Sequence, residues 1–167
     1  MKKLLISALL LLASIGAVLF PATGNADGLS QSLPNPITTP GAINPDVTDN
    51  NIHATICVPG FTATIRENSY ITNKAKRAAL PPGEDLMLFE WDHLISLELG
   101  GHPNDPRNLW AEPYGDRDKD EYGARKKDVL ETLLHRLVCA DKMPLSAAQG
   151  LISGNWIMAY QAYVIKK

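Results

Sequence analysis

The chain alternates between stretches whose apolar residues keep a regular period and stretches where they keep none. Residues 4–20 are uncharged and largely apolar, follow Lys2 and Lys3, and end at Pro21. Gly24-Asn25-Ala26 then offers small residues for a cleavage site, so residues 1–26 read as a secretory signal peptide. Residues 27–50 hold Pro34, Pro36, Pro40 and Pro45 among Ser, Thr, Asn and Gly with no period. They predict a flexible, dispensable leader ahead of one domain over 51–167. From Ala54 to Arg66, apolar and polar residues alternate around Val58-Pro59-Gly60, which predicts an N-terminal β-hairpin.

Residues 72–80 predict a short helix stopped by Pro81-Pro82. The apolar run 86–92, ending on an acid, predicts a buried strand. After a loop containing Gly100-Gly101 and Asn104-Asp105-Pro106, residues 108–110 open another strand. Between Ala124 and Cys139, residues Val129, Leu130, Leu133, Leu134, Leu137 and Val138 recur at helical spacing and predict a long amphipathic helix. Ser146 and Gln149 have capping-box spacing for a following helix. Gly154 ends that helix and Asn155 caps the last one, whose Trp156, Tyr160 and Tyr163 pack inward.

Composition narrows the class. Hydrophobic residues make up 45% and charged residues 20% of 167, as in one globular domain. Removing Lys2 and Lys3 with the signal peptide lowers the formal net charge from −2 to −4. That excludes a uniformly basic nucleic-acid binder, so any polyanion must be held by a local patch or a metal. The most basic stretch carries Arg66, Lys74, Lys76 and Arg77. No segment beyond residues 4–20 is long and apolar enough to cross a membrane. A secreted or periplasmic location, with no stable membrane association after cleavage, follows. Cys57 and Cys139 are the two cysteines, too few for a disulfide scaffold or a four-thiolate zinc site. In an oxidising compartment they pair most simply with each other, closing a loop of about 80 residues; two buried thiols are the alternative.

The chemistry concentrates in residues 90–110, EWDHLISLELGGHPNDPRNLW. An acid directly precedes a histidine at a strand end, a Gly-Gly loop follows, and Asn108 lies fifteen positions after His93. Phosphodiester hydrolysis needs a base near pH 7, which neutral imidazole supplies, and a cation for the phosphate charge.

This stretch resembles the HNH endonucleases of the His-Me finger (ββα-metal) superfamily, in particular small secreted bacterial members. The likeness extends through TICVPG upstream, KDVLETLLHRLVC downstream and the terminal WIMAY, covering about residues 52–164. It implies an α+β fold with a ββα-metal core, the N-terminal β-hairpin and additional C-terminal helices. It implies Asp92 as a metal ligand, His93 as general base and Asn108 as the residue that positions His93. It also implies one divalent ion, Mg2+ or Mn2+ ahead of Zn2+, and nucleic acid as substrate, DNA ahead of RNA. The sequence departs from the family in lacking a helix histidine or asparagine soon after the Asn-Leu pair. The helix offers Lys127, Asp128, Glu131 and His135; its phase favours Glu131 as the second metal ligand. Lys127, with Arg125 and Lys126, is then assigned to substrate phosphates. The other class is a noncatalytic secreted binding module on a degenerate finger scaffold.

Overall fold

The computed structural model describes residues 32–116 and 118–166; the signal peptide expected over 1–26 and the first residues of the expected leader lie outside them. The fold is α+β. Among the described residues it has helices α1 (Phe61–Ile65), α2 (Ser69–Ala79), α3 (Ala124–Cys139) and α4 (Leu145–Tyr160). One antiparallel hairpin pairs β1 (Phe89–His93) with β2 (Leu109–Pro113). No helix among the described residues is long and apolar enough to cross a membrane.

The core lies where α3 and α4 pack against each other and on the segment after β1. Leu94, Ile95 and Leu99 from that segment meet Leu130, Leu134 and Val138 of α3 and Leu145, Ile152 and Trp156 of α4. The long predicted helix has the observed bounds, but its buried face is turned from the one the leucines suggest. Val129 is exposed, while Lys127, Leu130, Glu131, Leu134 and Val138 face inward. Asn155 leaves helical geometry at φ −159°, and its Oδ1 accepts from Met158 N at 3.0 Å. It caps the terminal turns as predicted. The capping box at Ser146 is not made. Leu145 N at the start of α4 instead donates to Asp49 Oδ1 at 2.7 Å, and Gln149 Nε2 donates to Leu99 O at 3.0 Å.

Two predicted features are replaced. No β-hairpin forms over 54–66: Ile52–Ala54 is a 3-10 turn and Phe61–Ile65 is α1. Gly60 sits at φ +86°, where a glycine is at ease, and turns the chain into α1 rather than back along a strand. The alternation that suggested strands therefore serves a turn that buries Ile52 and Ile56.

The segment over 32–50 is also not a loose leader. Val47, Thr39 and Asn44 are buried. Gly41 N donates to Arg107 O, Asn44 N to Gly100 O, and His102 N to Ala42 O, each at 2.8–2.9 Å. Trp156 Nε1 donates to Ser32 O at 2.9 Å. Ordered backbone partners supply what the absence of a hydrophobic period conceals. Cys57 and Cys139 form the expected disulfide, with Cα atoms 5.6 Å apart, tying the turn before α1 to the end of α3.

Candidate functional site

The hairpin register sets the site. Asp92 pairs with Trp110, Glu90 with Glu112, and His93 with Leu109. Side chains alternate across a strand, so Asp92 and Glu112 point to α3. Trp91 and His93 point the other way, into a cleft of about 560 Å3 beneath α2. Arg66, Ile71, Lys76 and Glu90 also line that cleft.

The loop between the strands is locked by Asn108, which is fully buried. Its Oδ1 accepts from Ile95 N at 2.9 Å and from Ala42 N at 3.4 Å. Its Nδ2 donates to Ile95 O at 3.0 Å and to His102 O at 3.1 Å. The Gly-Gly pair is required by this closeness. A Cβ on Gly101 would stand 1.7 Å from Ile95 O and 2.9 Å from Asn108 Nδ2, and Gly100 adopts φ +71°. The hydrogen bonds of the Asn108 side chain thus go to Ile95, Ala42 and His102, and not to the imidazole it was expected to orient. It holds the loop that delivers Pro103, whose carbonyl lies 2.9 Å from His93 Nε2.

That contact defines the tautomer. A carbonyl oxygen can only accept, so Nε2 carries the hydrogen and, in the neutral ring, Nδ1 carries the lone pair. Burial holds the His93 pKa below the ordinary histidine value, against the opposing pulls of the Pro103 hydrogen bond and Asp92. His102 serves the loop, its Nδ1 accepting from Asn104 N and Asp105 N at 3.1 and 3.0 Å.

On the opposite face, the structure brings Asp92 and Glu131 together, but around Lys127. Its ammonium donates to Asp92 Oδ2 at 2.5 Å, to His93 O at 2.8 Å and to Glu131 Oε1. Lys127 is fully buried. Burial opposes its charge, yet Asp92, Glu131 and Glu112 hold its pKa well above the usual lysine value. Burial pushes the Asp92 carboxyl up, but Lys127 and a Glu112 hydrogen bond pull it below the ordinary range. Glu131 is pushed up to about 8, by burial first, with Lys127 opposing.

Glu112 was not singled out by the sequence, although strand period two places it on the face of Asp92. It is fully buried, and burial, only partly opposed by Lys127, drives its pKa well above the carboxylate range. As a carboxylate it has no hydrogen-bond partner. Protonated, its O–H donates toward Asp92. The cluster then carries its negative charge on Asp92 beside the positive charge of Lys127.

The expected metal arrangement does not fit this geometry, because an ammonium already lies between the oxygens of Asp92 and Glu131. Nor do the expected phosphate contacts form a group. Lys127 is enclosed, and neither Arg125 nor Lys126 lines the cleft. Arg125 stacks on Tyr114 at 4.7 Å and donates to the carbonyls of Tyr114 and Gly115. Lys126 pairs with Asp120 at 2.7 Å and lies over Tyr122. On α2, Lys76 donates to Leu86 O and Phe89 O, each at 3.0 Å, which pins the helix to β1. His135, beside Cys57 and Cys139, forms a cluster of ligand type among the described residues. Its two sulfurs are already bonded to each other, so it is no thiolate site.

No family model matches this chain, and neither a curated protein nor a solved structure matches it.

Proposed function

We propose that the protein is an exported phosphodiester hydrolase of the HNH endonuclease type, acting on nucleic acid with His93 as general base. One observation carries the reading: the Pro103 carbonyl takes the Nε2 hydrogen, which makes Nδ1 the proton acceptor of a histidine lining a cleft. The order β1, β2, α3, with α3 touching Asp92 at the end of β1, is what a ββα finger requires. The depressed His93 pKa keeps the imidazole neutral at pH 7, the state a base needs. The disulfide suits an oxidising compartment.

In this reading a water gives a proton to His93 Nδ1 as its oxygen bonds to phosphorus. The bond from phosphorus to the 3′ oxygen breaks, and that oxygen takes a proton from solvent. Arg66, exposed and on the cleft wall, faces the phosphate charge. DNA stands ahead of RNA on the resemblance. The position of Lys127 favours a second reading, a noncatalytic binding module on the same scaffold, because it removes the expected metal place.

Incubation of the mature protein and its His93→Ala variant with plasmid DNA and with RNA, with and without added divalent ions, tests this. The parent is expected to cleave, and His93→Ala to cleave about 10² to 10⁴ times more slowly. No cleavage by the parent under any condition leaves the binding module. Equal cleavage by both proteins removes His93 as the base.

A further inference from the structure

An ammonium offers three hydrogens and no acceptor. Those of Lys127 have three acceptors in place: a carboxylate oxygen of Asp92, the carbonyl of His93 and a carboxyl oxygen of Glu131. A fourth oxygen, Glu112 Oε2, lies 3.8 Å away. An oxygen-ligated divalent ion of the Mg2+ or Ca2+ type sits about 2.0 to 2.6 Å from its ligands. An ion shared by Asp92 and Glu131 would therefore occupy the space that Nζ occupies. It would also bring two further positive charges against an enclosed ammonium. The lysine stem is buried along its length on the inner face of α3.

We infer that Lys127 is the built-in cation of this site: its ammonium takes the place of a divalent ion between Asp92 and Glu131, so the site neither binds nor needs one. Lys127 does not line the cleft and is a positioning residue. By binding both Asp92 and the carbonyl of His93, it fixes the strand end that carries the base. This deepens the reading of the site as a hydrolase, but its ion-binding consequence stands apart from any activity.

The test is a Mn2+ titration of the mature protein, followed by electron paramagnetic resonance. The proteins are the parent, Asp92→Asn, Lys127→Ala, and Lys127→Ala combined with Asp92→Asn. The parent is expected to show no Mn2+ binding that Asp92→Asn removes. Lys127→Ala, which opens the gap and leaves the carboxyl groups, is expected to gain a site at least about tenfold tighter than anything in the parent; adding Asp92→Asn abolishes it. Mn2+ binding to the parent that disappears in Asp92→Asn overturns the inference, and this comparison decides even if Lys127→Ala does not fold. A folded Lys127→Ala that gains no Mn2+ binding also overturns it, since the carboxyl groups would then not be a latent ion site. Cleavage by the parent should persist undiminished in excess EDTA, and cleavage that requires a divalent ion overturns the inference. Failure of the parent to cleave anything sinks the hydrolase reading alone, while the Mn2+ result still decides the role of Lys127.

Discussion

The side-chain amide of Asn108 closes two hydrogen bonds on a single residue, accepting from Ile95 N and donating to Ile95 O. It acts as a surrogate strand, pairing with a backbone that has left the β1–β2 ladder. Asn108→Ala leaves both Ile95 groups buried and unpaired. The expected loss is about 3 kcal/mol of stability, measured by urea unfolding. Cleavage should fall too, because Pro103 is no longer held against His93. Unchanged stability would mean that the loop keeps its shape without the amide.

Burial depresses the His93 pKa, and the sign has two consequences. In the proposed hydrolysis the base is the neutral ring, so the rate should fall with decreasing pH through a midpoint below the ordinary value of about 6.5. The unfolded chain takes up a proton near that ordinary value before the folded one does. The stability from the neutral ring is thus present above it and lost as pH falls through the folded midpoint. Rate–pH profiles and NMR titration of the ring check both; a midpoint above the ordinary value contradicts the burial argument.

Glu112 works in the opposite sense, since its folded pKa lies well above its unfolded one. Its contribution is fully present below the ordinary carboxyl range and fades as pH rises toward the folded value. Glu112→Gln has no proton to lose, so its melting temperature should gain on the parent steadily from about pH 5 to pH 8. Differential scanning calorimetry across that range is the measurement. A constant difference between the two proteins would place the proton elsewhere.

Removal of residues before Asn51 should destabilise the domain. It deletes buried Val47 and Thr39, the Asp49 acceptor for the first turn of α4, and the strand-like contacts of residues 41–44 with the Gly-Gly loop. We expect a loss of at least about 3 kcal/mol and reduced cleavage, read from thermal unfolding and a digestion assay of the truncated protein. Full stability would show that these contacts contribute little.

Reduction of the Cys57–Cys139 bond should cost about 4.5 kcal/mol, the chain-entropy value for a loop of about 80 residues. Urea unfolding with and without reductant is the comparison. A shift below about 1 kcal/mol would indicate that the reduced chain is already compact.

How much the sequence revealed depended on whether a signal was local. The leucine spacing placed α3, and the asparagine after Gly154 placed the last cap, because helical period and capping chemistry act within a few residues. The pair β1 and β2 was visible as two short apolar runs flanking a glycine loop. The order of residues 32–50 is hidden in the sequence because it comes from partners far along the chain, such as Asn108 for Ala42 and Gly100 for Asn44. Residues 54–66 were misread because alternation over few residues does not separate strands from a turn followed by one helical segment. At the site, the types and the Asp92–His93–Asn108 spacing were legible. That Lys127 points inward was not, since a lysine at the edge of an apolar face serves a phosphate or a buried carboxylate equally well by sequence alone.

The bond from Trp156 to the carbonyl of Ser32 joins positions 124 residues apart. Trp156 is fully enclosed in the core, so that core cannot close until synthesis has passed this position of α4. A nascent chain that has not reached Trp156 leaves the faces of Leu94, Leu130 and Ile152 without the ring that covers them. Such long-range closure slows folding. It also makes any truncation ahead of Trp156 a failure of the whole domain, however well α3 forms.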